Sequence, residues 1–173
     1  PTKDIPVGIL EKSIKLTNEP PSGLKENMKI AFFTIKNENP GIDDRRRMAV
    51  IFGLCYFHSV VLERKKFGSL VWNRNYPFNI DDLKNSESVV AKYLEKNPGS
   101  KIPWDDLRYI IGEIMYGGHI VDDWDRRLSS AYLEFLLVDK INEDLDLIPY
   151  MSSNLSIKLS LKTPINHQVY TFD

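Results

Sequence analysis

The chain has 173 residues, of which 42% are hydrophobic and 27% charged, a composition typical of one folded domain rather than a disordered protein. It carries 23 Lys and Arg against 24 Asp and Glu, and this net charge of −1 provides no cationic field for nucleic acid or an anionic membrane. One cysteine excludes an internal disulfide and a cysteine-rich zinc site. No apolar run approaches the roughly 20 residues of a membrane span and no signal peptide opens the chain, so we expect an intracellular setting.

The first 20 residues are rich in proline and contain one short alternating segment. Residues 13–17 read SIKLT, with apolar and polar side chains in turn, which favours a β-strand. A lone strand has no partner for its backbone hydrogen bonds. We therefore expect residues 1–20 to be an extended remnant of a larger unit that precedes this chain.

Five segments with helical patterns form the body of the predicted fold. They cover residues 22–39, 43–66, 79–97, 103–117 and 122–139. The second is apolar on every side in its middle, so we expect it to be the central, buried helix. Asn79 is the expected N-cap of the third helix, and Asp122 or Asp123 that of the fifth. The fourth has an apolar stripe at i, i+3, i+4 and i+7, namely Leu107, Ile110, Ile111 and Ile114, and Gly117 and Gly118 are expected to break it.

The fifth helix has an apolar stripe that predicts how it docks. Its members are Trp124, Leu128, Ala131, Tyr132 and Phe135. On this pattern Trp124 anchors the helix to the core. Arg126 and Arg127 then point away from the stripe, towards solvent or a neighbouring protein.

The last part of the chain has a different pattern. Residues 139–149 are acidic and irregular, whereas residues 157–161 alternate apolar and polar side chains and predict a strand. Residues 169–172 are its expected partner in a β-hairpin. The predicted fold class is therefore mainly α: a five-helix bundle with a short N-terminal extended segment and a C-terminal β-hairpin.

Signatures of common enzyme classes do not occur. The chain has no G-x-x-x-x-G-K-[ST] phosphate loop, no G-x-S-x-G elbow and no H-E-x-x-H helix. Cys55 and His58 share a helix face at i and i+3, the spacing a thiolate nucleophile and its base would need. Their neighbours are apolar, and burial raises the pKa of a thiol, so core packing is the favoured interpretation.

Two kinds of charged cluster are further candidates. His119, Asp122, Asp123 and Asp125 could hold a hard divalent cation, but aspartates at a helix start more often cap it. The basic runs at residues 45–47 and 64–66 could contact phosphates. Because acidic residues lie next to both runs, solvated helix ends are the favoured interpretation. We expect no metal and no cofactor.

Ordered blocks of this sequence resemble the small helical lid subdomain of the sixth AAA+ module of dynein heavy chains. They are SIKLTNEPPSGLK (13–25), LCYFH with ERKKFG (54–58 and 63–68), WN with YPFN (72–73 and 76–79), PWDDLRY with GEIMYGGHI (103–109 and 112–120), and DDWDRRL (122–128). The resemblance spans about residues 5–137, and the DDWDRR form is similar to axonemal heavy chains. The tail fits the family pattern poorly.

The resemblance implies a division of the chain and a role. Residues 1–20 would end the preceding large subdomain, residues 21–138 would be the lid, and residues 139–173 would begin the C-terminal region. The fragment would be non-catalytic. It would pack against neighbouring AAA+ modules and transmit ATP-driven conformational change within a microtubule motor. The implied location is the cytoplasm and cytoskeleton, in the axoneme of a cilium or flagellum.

The same resemblance implies the partners: neighbouring modules of the same chain and, through the parent chain, dynein subunits and microtubules, with no nucleic acid and no membrane. Asp122, Asp123, Arg126 and Arg127 are the candidate inter-module interface. Two alternatives remain open at this point. One is a free-standing helical adaptor that docks a peptide between its helices. The other is a small enzyme that uses Cys55 and His58.

Overall fold

A computed structural model describes residues 6–14, 23–38, 45–97, 101–138, 145–146 and 160–161. The helices are α1 (Val7–Lys12), α2 (Leu24–Glu38), α3 (Arg45–Lys65), α4 (Ile80–Lys96), α5 (Trp104–Tyr109) and α6 (Asp123–Leu136), with a 3₁₀ turn at Gly68–Leu70 and a π-helix at Ile110–Met115. Two short strands, β1 (Leu145–Asp146) and β2 (Ser160–Leu161), pair antiparallel. The predicted mainly α bundle is confirmed. Among the described helices, none has the length and apolar character needed to cross a membrane.

Helix α3 is the centre of the core, as its sequence predicts. Its middle residues, including Phe52, Cys55 and Phe57, have no exposed surface. Phe52 meets Phe32 of α2 edge to face, with ring centres 6.1 Å apart. Phe57 meets Tyr116 in the same way at 5.0 Å. Helices α2, α4 and α6 all contact α3, so this apolar helix is covered on most of its sides, with Tyr56 and Val60 partly buried.

Helix α4 begins with a capping box. Asn79 Oδ1 accepts hydrogen bonds from the backbone N–H groups of Asp81 and Asp82, and the Asp82 carboxylate accepts one from the Asn79 N–H in return. Such reciprocal bonds satisfy N–H groups that have no partner inside the helix. The predicted N-cap at Asn79 is confirmed.

The fourth helical segment changes its winding at Ile110. The Tyr116 N–H donates to the Ile111 carbonyl at 2.9 Å, an i→i−5 bond of a π-helix. Tyr116 is fully buried, whereas Ile114, which the 3.6-residue pattern places on the buried stripe, is 57% exposed. The prediction of a regular α-helix with a buried Ile114 was therefore wrong from Ile110 onwards.

Gly117 lies where the helix ends, at a point where the backbone comes too close for a side chain. A Cβ atom at Gly117 would lie 2.2 Å from the Gly112 carbonyl oxygen and 2.7 Å from the Glu113 Cα. Its φ is not positive; among the described glycines, only Gly23 and Gly68 have that conformation. The predicted break is present, and close backbone approach explains the glycine.

Both ends of the chain differ from the sequence predictions. The N-terminal segment is not extended throughout, because Val7–Lys12 is helical directly after Pro6, whose φ of −56° suits a helix start. Ser13 is extended; residues 15–17 lie outside the described part. In the tail, Ser160–Leu161 belongs to the predicted strand but pairs with Leu145–Asp146, a segment expected to be irregular. The expected partner, residues 169–172, lies outside the described part.

Candidate functional site

Residues 119–127, here called the α6 corner, comprise the end of the turn after the π-helix and the first residues of α6. Asp122 is the N-cap of α6: its Oδ1 accepts from the N–H groups of Trp124 at 2.9 Å and Asp125 at 3.1 Å. The same oxygen accepts from the Asn73 side-chain amide at 3.0 Å. The hydrogen bond from Asn73 is the largest of the effects that lower the pKa of Asp122. The predicted cap at Asp122 is confirmed, and it also holds the loop that precedes α4.

Asp125 is a buried carboxylate that holds the same loop. Its Oδ1 accepts from the Asn73 N–H at 3.0 Å, and its Oδ2 accepts from the Arg74 N–H at 3.3 Å and the Tyr76 hydroxyl at 2.7 Å. Only 2% of Asp125 is exposed. Burial, followed by the hydrogen bond to Asp125, raises the pKa of Tyr76 to about 12. Three donors thus satisfy a charge that would otherwise be costly to bury.

Three of the four side chains considered as metal ligands have other partners. His119 Nε2 lies 3.0 Å from Asp82 Oδ1 on α4, and the carboxylates of Asp122 and Asp125 bind the loop instead. Asp123 is exposed. Within the described ranges, no three His, Cys, Asp or Glu side chains come together as a metal-binding group. The corner therefore has the chemistry of a structural joint.

Arg126 is part of this joint. Its Nη1 donates to Glu113 Oε2 at 2.6 Å, and its Nη2 donates to the carbonyls of Ile120 at 2.8 Å and Gly117 at 3.4 Å. These bonds connect α6 to the π-helix and to the turn after it. Arg126 was expected to lie off the apolar stripe, towards solvent or a neighbouring protein; it is partly exposed and paired with Glu113, but it also binds backbone carbonyls of the domain.

The buried stripe of α6 lies one position away from the predicted one. The buried residues are Asp125, Ser129, Leu133 and Leu136, whereas Trp124 is 71% exposed. The Arg127 guanidinium lies over the Trp124 ring, 5.2 Å from its centre. Trp124 therefore does not anchor α6 to the core, and that prediction was wrong. The hydrophobic pattern failed because two polar residues, Asp125 and Ser129, occupy the buried face.

Cys55 and His58 have the properties of core residues. Both are fully buried, and burial raises the pKa of the Cys55 thiol far above its usual range. Burial lowers the pKa of His58 to about 4, and His58 Nδ1 lies 2.8 Å from the Tyr116 hydroxyl. A protonated thiol without solvent access is not a nucleophile at neutral pH. The core interpretation of this pair is confirmed.

The two basic ends of α3 differ: the N-terminal run has a partly buried ion pair, and the C-terminal run is largely a solvated helix end, as predicted. Arg47 is paired with Glu87 of α4 at 2.6 Å, and only 21% of its side chain is exposed. At the other end, the Arg64 guanidinium lies 5.1 Å from the centre of the Tyr132 ring. Lys66 pairs with Glu63 at 2.7 Å. Arg47 therefore connects α3 to α4, whereas Arg64 and Lys66 are exposed at the other end of the helix.

Four large apolar side chains between α5 and the start of α6 remain exposed. They are Tyr109, Ile114, Val121 and Trp124, all more than half exposed. The sequence pattern did not predict the exposure of Ile114 and Trp124, because that exposure depends on the π-helix and on the polar stripe of α6. Of these four residues, only Trp124 belongs to the DDWDRR motif.

Comparison with known proteins shows where the chain belongs. A family model described as the dynein heavy chain AAA lid domain matches residues 47–169. The chain is a member of the dynein heavy chain AAA lid family. It is 52% identical to the ciliary dynein beta chain of Heliocidaris crassispina over 148 residues, which cover 84% of this chain and 3% of that protein.

Other relatives show the same partial coverage. Dynein axonemal heavy chain 17 of Homo sapiens is 52% identical over 151 residues, 86% of this chain and 3% of the relative. The flagellar outer arm dynein beta chain of Chlamydomonas reinhardtii is 43% identical over 158 residues, which cover 85% of this chain and 3% of that protein. The chain thus spans about 3% of the length of the curated relatives it matches.

Proposed function

We propose that this chain is the non-catalytic lid of the sixth AAA+ module in an axonemal-type dynein heavy chain. It packs against neighbouring modules and passes on conformational change that ATP hydrolysis drives elsewhere in the motor. Membership of the dynein lid family supports the dynein part of this proposal. The relatives are named ciliary, axonemal and flagellar, which supports work on microtubules in a cilium or flagellum.

The observation that carries the packing role is the exposure of Trp124 on a rigid support. Trp124 is 71% exposed although it opens a helix whose start is fixed by Asp122, Asp125 and Arg126. A large aromatic side chain held in this way is the kind of residue that dominates protein interfaces. Arg127, stacked on the Trp124 ring, adds a charge that can pair across an interface.

The corner separates into residues that support and residues that contact. Asp122 and Arg126 make their hydrogen bonds within the domain, whereas Asp123, Trp124 and Arg127 are exposed. Among the four residues predicted as an interface, we therefore assign direct contact to Asp123 and Arg127 and a positioning role to the other two. A joint that ties α6, the π-helix and residues 73–76 together moves as one body, as domain-rotation switches require.

Substitution of Trp124 tests the proposal in two settings. Trp124→Ala should leave the unfolding free energy of the 173-residue chain within about 0.5 kcal/mol, as for other exposed positions. In the complete heavy chain it should lower the microtubule gliding velocity, because the contact with the neighbouring module is lost. Phe33→Ala, which removes a half-exposed aromatic ring from α2, is the matched control. Equal velocities for Trp124→Ala, the control and the unaltered motor would exclude the packing role.

A further inference from the structure

We propose that an apolar groove at the C-terminal end of α3 binds an acidic amphipathic helix of a partner protein. This groove, here called the α3 groove, has a volume of about 460 Å³, within the usual range of roughly 300–1,000 Å³ for binding pockets. Its walls come from α2, α3 and the turn after α3, and they are formed by Leu24, Val60, Glu63, Arg64, Phe67 and Val71. Trp124 is not among them, so this inference goes beyond the proposed packing of the α6 corner and does not depend on it.

The apolar side chains of the α3 groove are only partly covered by the fold. Phe67 is 57% exposed, and Leu24, Val60 and Val71 are half-buried. Leu70, three residues after Phe67 in the same turn, is 88% exposed. Removal of apolar surface from water is the dominant favourable contribution to most protein association. An occupant with apolar anchors would therefore be held by these walls.

The turn that carries Phe67 is fixed by its own hydrogen bonds. The Leu70 N–H donates to the Phe67 carbonyl at 3.2 Å, and the Trp72 N–H donates to the Gly68 carbonyl at 3.0 Å. Gly68 has a φ of +54°, a conformation that glycine adopts readily. The Trp72 side chain, which follows the turn, is buried in the core. The groove is thus formed before a partner arrives, which lowers the entropic cost of binding.

The one carboxylate of the α3 groove is already occupied. Residues 63–66 carry three cations and a single acid, Glu63. Glu63 Oε2 accepts from the Gly23 N–H and the Asn27 side-chain amide, both at 3.1 Å, and from Lys66 Nζ at 2.7 Å. These bonds hold the start of α2 against α3. The segment beside the groove therefore has an excess of positive charge that Glu63 does not balance.

Arg64 is the cation of this segment that is placed to pair with a partner. It lines the α3 groove, and its guanidinium lies over the Tyr132 ring of α6, 5.1 Å from the ring centre. It makes no ion pair with any residue that the structure describes. A guanidinium stacked on a ring keeps its in-plane N–H groups available to a carboxylate. An occupant with an acid next to its apolar anchors would complement both the walls and this charge.

A helix supplies this combination with a short sequence pattern. Side chains at i, i+3 and i+4 lie on the same side of a helix, about 5–6 Å apart. Leucines at i and i+4 can contact Val60 and Phe67, while a glutamate at i+3 approaches Arg64. Amphipathic helices that lie in apolar grooves are a recurring mode of peptide recognition.

A peptide of this pattern tests the proposal on the 173-residue chain. The probe is a blocked, alanine-rich peptide of about 15 residues, long enough to form a helix, with leucines at i and i+4 and glutamate at i+3. In a ¹⁵N-correlated spectrum it should shift the amide signals of residues 67–71 saturably and leave that of Trp124 in place. The same peptide with serine for both leucines should shift neither. Absence of a saturable shift at residues 67–71 would overturn the proposal.

Variants of the chain separate the apolar from the charged contribution. Phe67→Ala should weaken binding of the glutamate peptide about tenfold or more, whereas Phe33→Ala, which removes a half-exposed ring outside the groove, should not. Arg64→Gln should weaken the glutamate peptide about fivefold, as for a partly exposed ion pair, and should not affect a peptide with glutamine at i+3. All three positions are exposed, so unfolding followed by circular dichroism should show that each variant keeps its fold.

Four results of these experiments would contradict the proposal. Equal binding by Phe67→Ala and Phe33→Ala would show that the peptide does not use the α3 groove. Equal weakening of the glutamate and glutamine peptides by Arg64→Gln would remove the preference for an acid. A dimer of the unaltered chain that Phe67→Ala converts to monomers would show that a second copy covers the groove. Tighter binding of decanoate than of the peptide would show that the groove holds an acyl chain.

Discussion

Replacing Asp125 should show how strongly the α6 corner is held. In Asp125→Ala, the Tyr76 hydroxyl loses its acceptor in a buried position, while the N–H groups of Asn73 and Arg74 belong to exposed residues and can turn to water. A hydrogen bond to a charged group contributes about 1.5–3 kcal/mol, which we take for the buried bond from Tyr76. The two backbone N–H bonds add less than that, because water can replace the lost acceptor. Relief of the buried charge offsets part of the loss, so we expect a cost of about 3 kcal/mol.

Thermal and urea unfolding, followed by circular dichroism, measure this cost. For a chain of this size, about 3 kcal/mol corresponds to a fall of roughly 6–12 °C in Tm. Asp123→Ala is the matched control: Asp123 is exposed in the same helical turn, and its loss should cost below about 1 kcal/mol. In Asp125→Ala the pKa of Tyr76 should also fall from about 12 towards its usual value. If Asp125→Ala is no less stable than Asp123→Ala, the carboxylate does not hold the loop.

Further predictions concern the core and the π-helix. The pKa of His58 is lowered from 6.5 to about 4, so the stability that His58 contributes is present above pH 6.5 and is lost as the pH falls to 4. In His58→Gln the free energy of unfolding should therefore depend less on pH between 6.5 and 4. An unchanged pH dependence in this variant would contradict the buried, neutral state of His58. Gly117→Ala places a Cβ against backbone and should cost about 1–3 kcal/mol, whereas Gly8→Ala, in open space, should be neutral or slightly stabilising. Cys55 should react with a thiol reagent slowly in the native chain and rapidly in urea, and fast native labelling would mean that the α3 core opens readily.

The features that the sequence predicts well are those determined by neighbouring residues. The apolar middle of α3 requires burial whatever surrounds it, and Phe52 and Cys55 lie in the core accordingly. The cap at Asn79 depends on residues within one turn of it. Local chemistry is enough to find such elements, because their partners are close in the sequence or need only be apolar.

The features that it misses depend on distant residues. Asp125 is buried because it binds N–H groups about 50 residues earlier in the chain, and its burial turns Trp124 outwards. The extra residue in the π-helix changes the phase of Ile114, which no 3.6-residue pattern can show. The interface at Asp122, Asp123, Arg126 and Arg127 stays a prediction that rests on their motif, whereas the buried position predicted for Trp124 was wrong.

The central proposal is that the exposed face of the α6 corner is covered in the assembled motor. Hydroxyl-radical footprinting with mass spectrometry measures the oxidation rate of individual side chains and can compare Trp124 in the 173-residue chain with Trp124 in the complete heavy chain. Trp124 is 71% exposed in the chain alone, so it should be oxidised rapidly there and strongly protected in the motor. Equal oxidation rates of Trp124 in the two samples would show that no neighbouring module packs on the α6 corner.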